Sequence, residues 1–238
     1  MTVLRRLPAE AWTVLVVVAV IIAVFLLGRA NPIPPPPVTT DSLGPDSGET
    51  AQEYSARAAE TLQPHSPPDA EHSPPDAEHS PPDAEHWALV SFGHGMVPDT
   101  AASVVAPVRI SEVLGHVPVD GAQTPVTTVQ VPATDDPAAM VERAQSRAAD
   151  IVESRTDPAT ARGDTAARGD TAARGDIAAA VVDGLRGGCA CVVALVVLAD
   201  LEELRAVSAR PGVLAVEALP ADAVFGSFAV RPTVQYLQ

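Results

Sequence analysis

Apolar and polar residues follow three different patterns along this chain, and each predicts a different kind of segment. Residues 11–28, AWTVLVVVAVIIAVFLLG, form an apolar run without a charge. As a helix rising about 1.5 Å per residue they would cover roughly 27 Å, close to the ~30 Å hydrocarbon core of a bilayer. Residues 29–86 show no sustained helical or strand period of apolar residues. They open on NPIPPPPV and read as a disordered, Pro-rich stalk, because a proline run favours the extended polyproline II helix. ETAQEYSARAAETLQ, residues 49–63, has the composition of a short helix on that stalk. From Trp87 onward, short apolar runs alternate with helical periods, and a folded domain is expected over 87–238.

Within that domain WALVSF, beginning at Trp87, predicts a strand. PDTAASVVAP predicts a short helix with Asp99 as its cap after Pro98. VRISEVLGHV and TPVTTVQVP predict two more strands, the second from its β-branched content. DDPAAMVERAQSRAADIVES is the clearest helix: Asp136 caps it, Pro137 takes the first turn, and Met140, Ala144, Ala148, Ile151 and Val152 share a face. ARGDTAARGDTAARGD, residues 161–176, repeats every six residues, and each glycine costs a helix about 1 kcal/mol relative to alanine. It reads as an exposed low-complexity insertion at about 156–176, after which IAAAVVDGLRGG resumes the helix until Gly187–Gly188.

CACVVALVVL, residues 189–198, predicts a strand buried on both faces at the centre of a sheet. DLEELRAVSARPGV follows as a helix with Asp200 and Glu203 as reciprocal capping partners. VLAVEAL and SFAVRPTVQYL are read as closing strands. The order, strand-helix-strand-strand-helix then strand-helix-strand-strand, predicts a compact α+β sandwich. Two β-α-β-β-like halves with a ferredoxin-like tendency would put helices on one face of a mainly antiparallel sheet.

The charges fix the expected compartment. Arg5 and Arg6 precede the apolar run and only Arg29 follows it closely, so residues 1–10 are expected in the cytoplasm and the rest outside. Trp12 sits where an interfacial aromatic belongs. Residues 11–28 are therefore read as an uncleaved single-pass transmembrane helix of the plasma membrane. A cleaved signal peptide ending at Gly28-Arg29-Ala30 is the alternative. Either way the domain is extracytoplasmic.

Composition narrows the function. Lys and Arg together number 15 and all are Arg, so a P-loop lysine and Schiff-base chemistry are both excluded. The net charge of -15 opposes nucleic-acid binding, which rests on neutralising phosphates. No cofactor and no catalysis are expected.

Four candidate chemistries remain. HSPPDAE repeats three times from His65 and closes on His86. In polyproline II, His65 and His72 would stand roughly 22 Å apart, too far for one ion to bridge. The repeat is read as a spacer, with weak metal binding and a partner motif as alternatives. Cys189 and Cys191 are the only cysteines. In a flat strand their Cα atoms would lie about 6.6 Å apart, near the ~6.8 Å limit for a disulfide. A local disulfide, two buried thiols, and a redox or metal pair all remain open for them. Gly93-His94-Gly95 lacks the third glycine of a dinucleotide loop and reads as a turn, and His94 and His116 have no nucleophile at a recognisable spacing. The Arg-Gly-Asp triplets at 162, 168 and 174 invite an adhesion reading, but they share the duplication habit of the stalk.

CVVALVVLADLEELRAVSARPGVLAVEAL resembles the strand-helix-strand unit of subtilisin-type propeptide inhibitors, where a helix ending in Pro-Gly-Val leads into a strand. The resemblance implies a fold rather than an inhibitory role. The apolar run, Pro-rich stalk and Cys-x-Cys segment together resemble single-pass membrane-anchored proteins of actinobacteria, as does the Ala-, Val-, Pro- and Arg-rich, lysine-free composition. That resemblance implies an envelope location and no activity. The expected role is thus a non-catalytic binding or scaffolding module of the cell envelope, its partner an envelope protein or ligand of unknown identity. The alternative is a thiol-redox protein using Cys189 and Cys191.

Overall fold

A computed structural model describes residues 41–63, 84–156 and 168–234, all within a unit running from Thr39 to Gln238. Its elements in chain order begin with β1 (Ser42–Leu43), α1 (Ala51–Thr61), β2 (His86–Met96), α2 (Pro98–Val105), β3 (Arg109–Gly115) and β4 (Thr127–Gln130). They continue with α3 (Pro137–Thr156), α4 (Arg168–Arg186), β5 (Val192–Ala199), α5 (Leu201–Ser208), β6 (Val213–Ala218) and β7 (Ala229–Val230). The fold is α+β. The apolar run behind the cysteines becomes β5, the middle strand of a five-stranded sheet ordered β4-β3-β5-β2-β6. Every pairing in that sheet is antiparallel. β2 and β3, joined through α2, flank β5; β5 and β6, joined through α5, flank β2.

Side chains of successive strand residues go to opposite faces. One face collects Val90, Phe92, Val113, Leu195, Val197 and Val216 into the main core, closed by residues of α2, α3, α4 and α5. Asp136 caps α3 as the sequence predicts, its Oδ1 accepting from the Ala139 N–H at 3.0 Å. The buried face of α3 centres on Val141, Ala144, Gln145, Ala148 and Val152 rather than on Met140 and Ile151, which pack half-buried at its margins. Asp200 caps α5 through the Glu203 N–H at 2.8 Å, but only this half of the expected reciprocal pair forms.

Four expectations need correction. First, the insertion is not a loop throughout: α4 begins at Arg168 and takes in the second and third Arg-Gly-Asp triplets. Alanines between the glycines supply enough helix propensity to carry the pattern, and Arg174, Gly175 and Asp176 are exposed. The first triplet lies outside the described residues. Second, SFGHG is not a turn. β2 runs on through it to Met96 with an irregularity after Ser91, and Gly93 donates its N–H to the Gly212 carbonyl at 3.0 Å. Third, among the described residues the closing segment SFAVRPTVQYL contributes only β7, which pairs in parallel with β1 outside the main sheet. Fourth, the stalk expected over 29–86 is folded between residues 41 and 63.

That folded strap covers the second face of the sheet and the β6 edge. Thr50 and Glu53 form a complete capping box at the start of α1. Tyr54 and Ala58 are fully buried on Ala215, and burial pushes the Tyr54 phenol upward while its hydroxyl meets Ser91 Oγ at 3.3 Å. Ser55 donates to the Leu214 carbonyl at 3.1 Å, and Thr61 accepts from the Ala218 N–H at 2.8 Å. Glu217 points from β6 into this interface with its side chain 5% exposed. It is ion-paired to Arg57 and accepts from the Gly44 N–H at 2.6 Å. Arg57 also bonds Glu49 Oε1 at 2.9 Å and the Gly44 carbonyl at 3.1 Å. Gly44 has φ +102°, and a Cβ there would run into the Arg231 carbonyl.

Residues 1–40 and 64–83 lie outside the described residues, and with them the apolar run, the Pro-rich opening and His65, His72 and His79. No helix among the described residues is long and apolar enough to cross a membrane.

The strap should depend on Arg57. Replacing it with Ala leaves the Glu217 carboxylate without its ion-pair partner, beside the Gly44 N–H and the Tyr54 hydroxyl. Breaking a fully buried pair costs ~3–5 kcal/mol, and a loss of about 2 kcal/mol is expected here because Arg57 keeps about a third of its side chain in water. Urea unfolding should read this loss, together with new proteolytic cleavage between residues 41 and 63. Glu49 is held below its ordinary 4.5, chiefly by the Arg57 hydrogen bond. Its contribution is therefore present above that value and is lost as pH falls through the lowered one.

Candidate functional site

The two cysteines sit where α4 turns into β5, and they are joined by a disulfide. The strand expected from Cys189 starts only at Val192. Cys189–Cys191 instead closes a three-residue turn in which the Cys191 N–H donates to the Cys189 carbonyl at 2.8 Å. This turn draws the Cα atoms to 5.2 Å, below the separation a flat strand would give. Three neighbours pin it. Cys189 N–H donates to the Gly184 carbonyl at 3.2 Å, so the turn caps the end of α4. Gln145, buried in α3, donates Nε2 to the Cys189 carbonyl at 3.1 Å. The His116 N–H, just past β3, donates to the Cys191 carbonyl at 2.8 Å.

β2 approaches the same turn through Gly95. A side chain there would strike the Ala190 carbonyl, so only glycine allows this approach. Gly95, His116, Pro118, Ala190 and Val193 enclose a cavity of about 90 Å³. Small-molecule pockets run from about 300 Å³ upward, so this space suits waters or a very small group rather than a metabolite. A second, open cleft of about 390 Å³ lies between the α2–β3 connection and the start of α3, with Arg109 and Asp135 on its walls.

Exposure separates the two sulfurs. Cys191 is 2% exposed, whereas Cys189 is only partly buried. An attacking thiolate would reach Cys189 first. His116 is the one titratable residue on the cavity wall. Thr124 uses its only hydroxyl proton on the Val117 carbonyl at 2.6 Å, so it accepts from His116 Nε2–H at 3.0 Å. That assigns the Nε2–H tautomer and leaves Nδ1 as an acceptor. Burial lowers the His116 pKa from 6.5, so the ring is neutral at pH 7.

The other singled-out residues do not converge here. His94 is exposed on β2. His86, the last histidine of the repeat, starts β2 and donates Nδ1–H to the Leu219 carbonyl at 2.7 Å. Among the described residues no three His, Cys, Asp or Glu side chains gather as metal ligands would. Gln145, His116 and Gly95 had no signal in the sequence as neighbours of the cysteines. Only the topology brings the three elements that carry them to one end of β5.

A neutral, half-buried histidine makes stability pH-dependent. With its folded pKa depressed, the contribution of His116 is present above 6.5 and declines as pH falls through the lowered value. Thermal melts from pH 7.5 to 5 should show the parent losing stability faster than His116→Asn, which carries no titrating ring. No protein-family model, curated protein or solved structure matches this chain.

Proposed function

We propose that the chain is a single-pass, anchored module of the cell envelope, cytoplasmic at its N-terminus, whose extracytoplasmic domain binds or scaffolds a partner without catalysis. One observation carries this reading. The first described residues after the apolar run are built into the domain, through β1–β7 pairing and the Arg57–Glu217 ion pair. A tether gripped by its cargo transmits position and load, which a passive linker does not. The disulfide is in keeping with an oxidising compartment. The strand order, two interleaved split β-α-β units with an added edge strand, favours reading the domain as ferredoxin-like.

The topology test is proteolysis of intact spheroplasts. Protease should remove everything beyond the bilayer and leave only a short N-terminal fragment. Protection of the domain would overturn the outside assignment. A pull-down with the whole anchored chain identifies the partner.

The unequal exposure of the sulfurs favours a second reading, thiol-disulfide exchange. An external dithiol attacks Cys189 Sγ and the Cys191 thiolate leaves. The second external thiol then resolves the mixed disulfide, so two electrons and two protons pass to the cysteine pair. Under native conditions Cys191→Ser should leave a Cys189 that alkylates readily, while Cys189→Ser should leave Cys191 resistant until denaturation. Equal reactivity of the two single variants, or a disulfide that resists dithiol unless unfolded, would reject exchange and leave the pair a staple.

A further inference from the structure

The loop between β6 and β7 carries Phe225 and Phe228 over Trp87. The ring centroids of the two phenylalanines lie 4.7 and 6.3 Å from the indole and 6.0 Å from each other. All three rings are only half-buried, and Val224 beside them is 65% exposed. Aromatic residues make up 3% of the chain. Among the described rings Tyr54 and Phe92 are fully buried, whereas this trio keeps a rim in water. Rings with one apolar side and one wet rim suit the interfacial layer of a bilayer.

The path of the chain selects that occupant over a soluble partner. The Asp41 carbonyl accepts from the Ala229 N–H at 3.1 Å, one residue beyond Phe228. Leu43 belongs to the same apolar cluster as Trp87, Phe225 and Phe228. The apolar run ends at Gly28, and the twelve residues 29–40 can span at most about 43 Å at ~3.6 Å per residue. The tether therefore leaves the domain at the root of the aromatic patch. A leash this short holds the patch at high effective concentration against the lipid surface. The net charge of -15 opposes anionic headgroups, and Arg231 next to β7 is already paired with Asp46. The contact is thus apolar and suited to zwitterionic lipid.

We infer that Trp87, Val224, Phe225 and Phe228 form a docking surface that rests on the outer-leaflet interface of the bilayer. This rests on the anchored reading proposed above, and the test keeps the two apart. Trp12 and Trp87 are the only tryptophans. The full chain is reconstituted into phosphatidylcholine vesicles with brominated acyl chains, as Trp12→Phe in one preparation and Trp87→Phe in the other. Quenching of Trp12 reports the anchor, and quenching of Trp87 reports docking. Bromolipid should quench Trp87, and adding Val224→Asp should abolish that quenching without shifting the melting temperature. Quenched Trp12 with unquenched Trp87 would overturn docking and leave the anchor standing. Quenching of Trp87 that survives Val224→Asp would also overturn it, because the contact would then lie elsewhere. Failure of both reporters would overturn the anchored reading and docking with it.

Discussion

β5 is buried along both faces from Val192 to Val197, and this constraint organises the rest of the domain. A central strand of Val, Leu and Ala can face water on neither side, so the sheet needs two covers. Helices α2, α3, α4 and α5 supply the first. Of these, α3 and α5 are capped by Asp136 and Asp200. The second cover is assembled from pieces that are weak as elements: the two-residue strands β1 and β7, the aromatic loop before β7, and α1. None of these would persist alone, since two-residue strands and an eleven-residue helix lie below the lengths that are stable in isolation. Their order is imposed by the apolar surface they close.

This explains what could be read in the sequence and what could not. β5 was legible because seven consecutive apolar residues admit few other readings. α3 was legible from Asp136–Pro137 and the period behind them, and the order of the main strands followed. In the strap the short helix over 49–63 was legible but its packing against the sheet was not, although Thr50–Glu53 is a fuller capping box than the Asp200–Glu203 pair. It sits between a proline run and the histidine repeats, and its buried residues are few: Leu43, Gly44, Pro45, Tyr54, Ala58 and Leu62. Averaged over its surroundings it looks like linker. Its principal partner, Glu217, lies 160 residues from Arg57, a pairing that no local pattern encodes. The cysteine site was half legible: spacing and compartment pointed to a local bond, whereas Gln145, His116 and Gly95 reach it only through the sheet.

The tight Cys189–Cys191 turn, the Gly95 approach and the small cavity lie at one end of the sheet's middle strand. The carbonyls of both cysteines are committed to N–H donors from α3 and from the residue after β3. A disulfide closing so short a loop removes little chain entropy. Its larger effect is to fix a bend whose backbone groups join the helical cover to the sheet.

The hydroxyls of Ser55 and Thr61 have one further consequence. β6 is the long outer strand of the sheet, and these two side chains occupy outward backbone groups at Leu214 and Ala218. The opposite border, β4, is only four residues long. Peeling α1 away would expose a six-residue, largely aliphatic border with free hydrogen-bonding groups, a template onto which another chain can add a strand. The same segment that ties the domain down thus also guards it against self-association. Loss of α1 would turn that covered border into a seed for clustering.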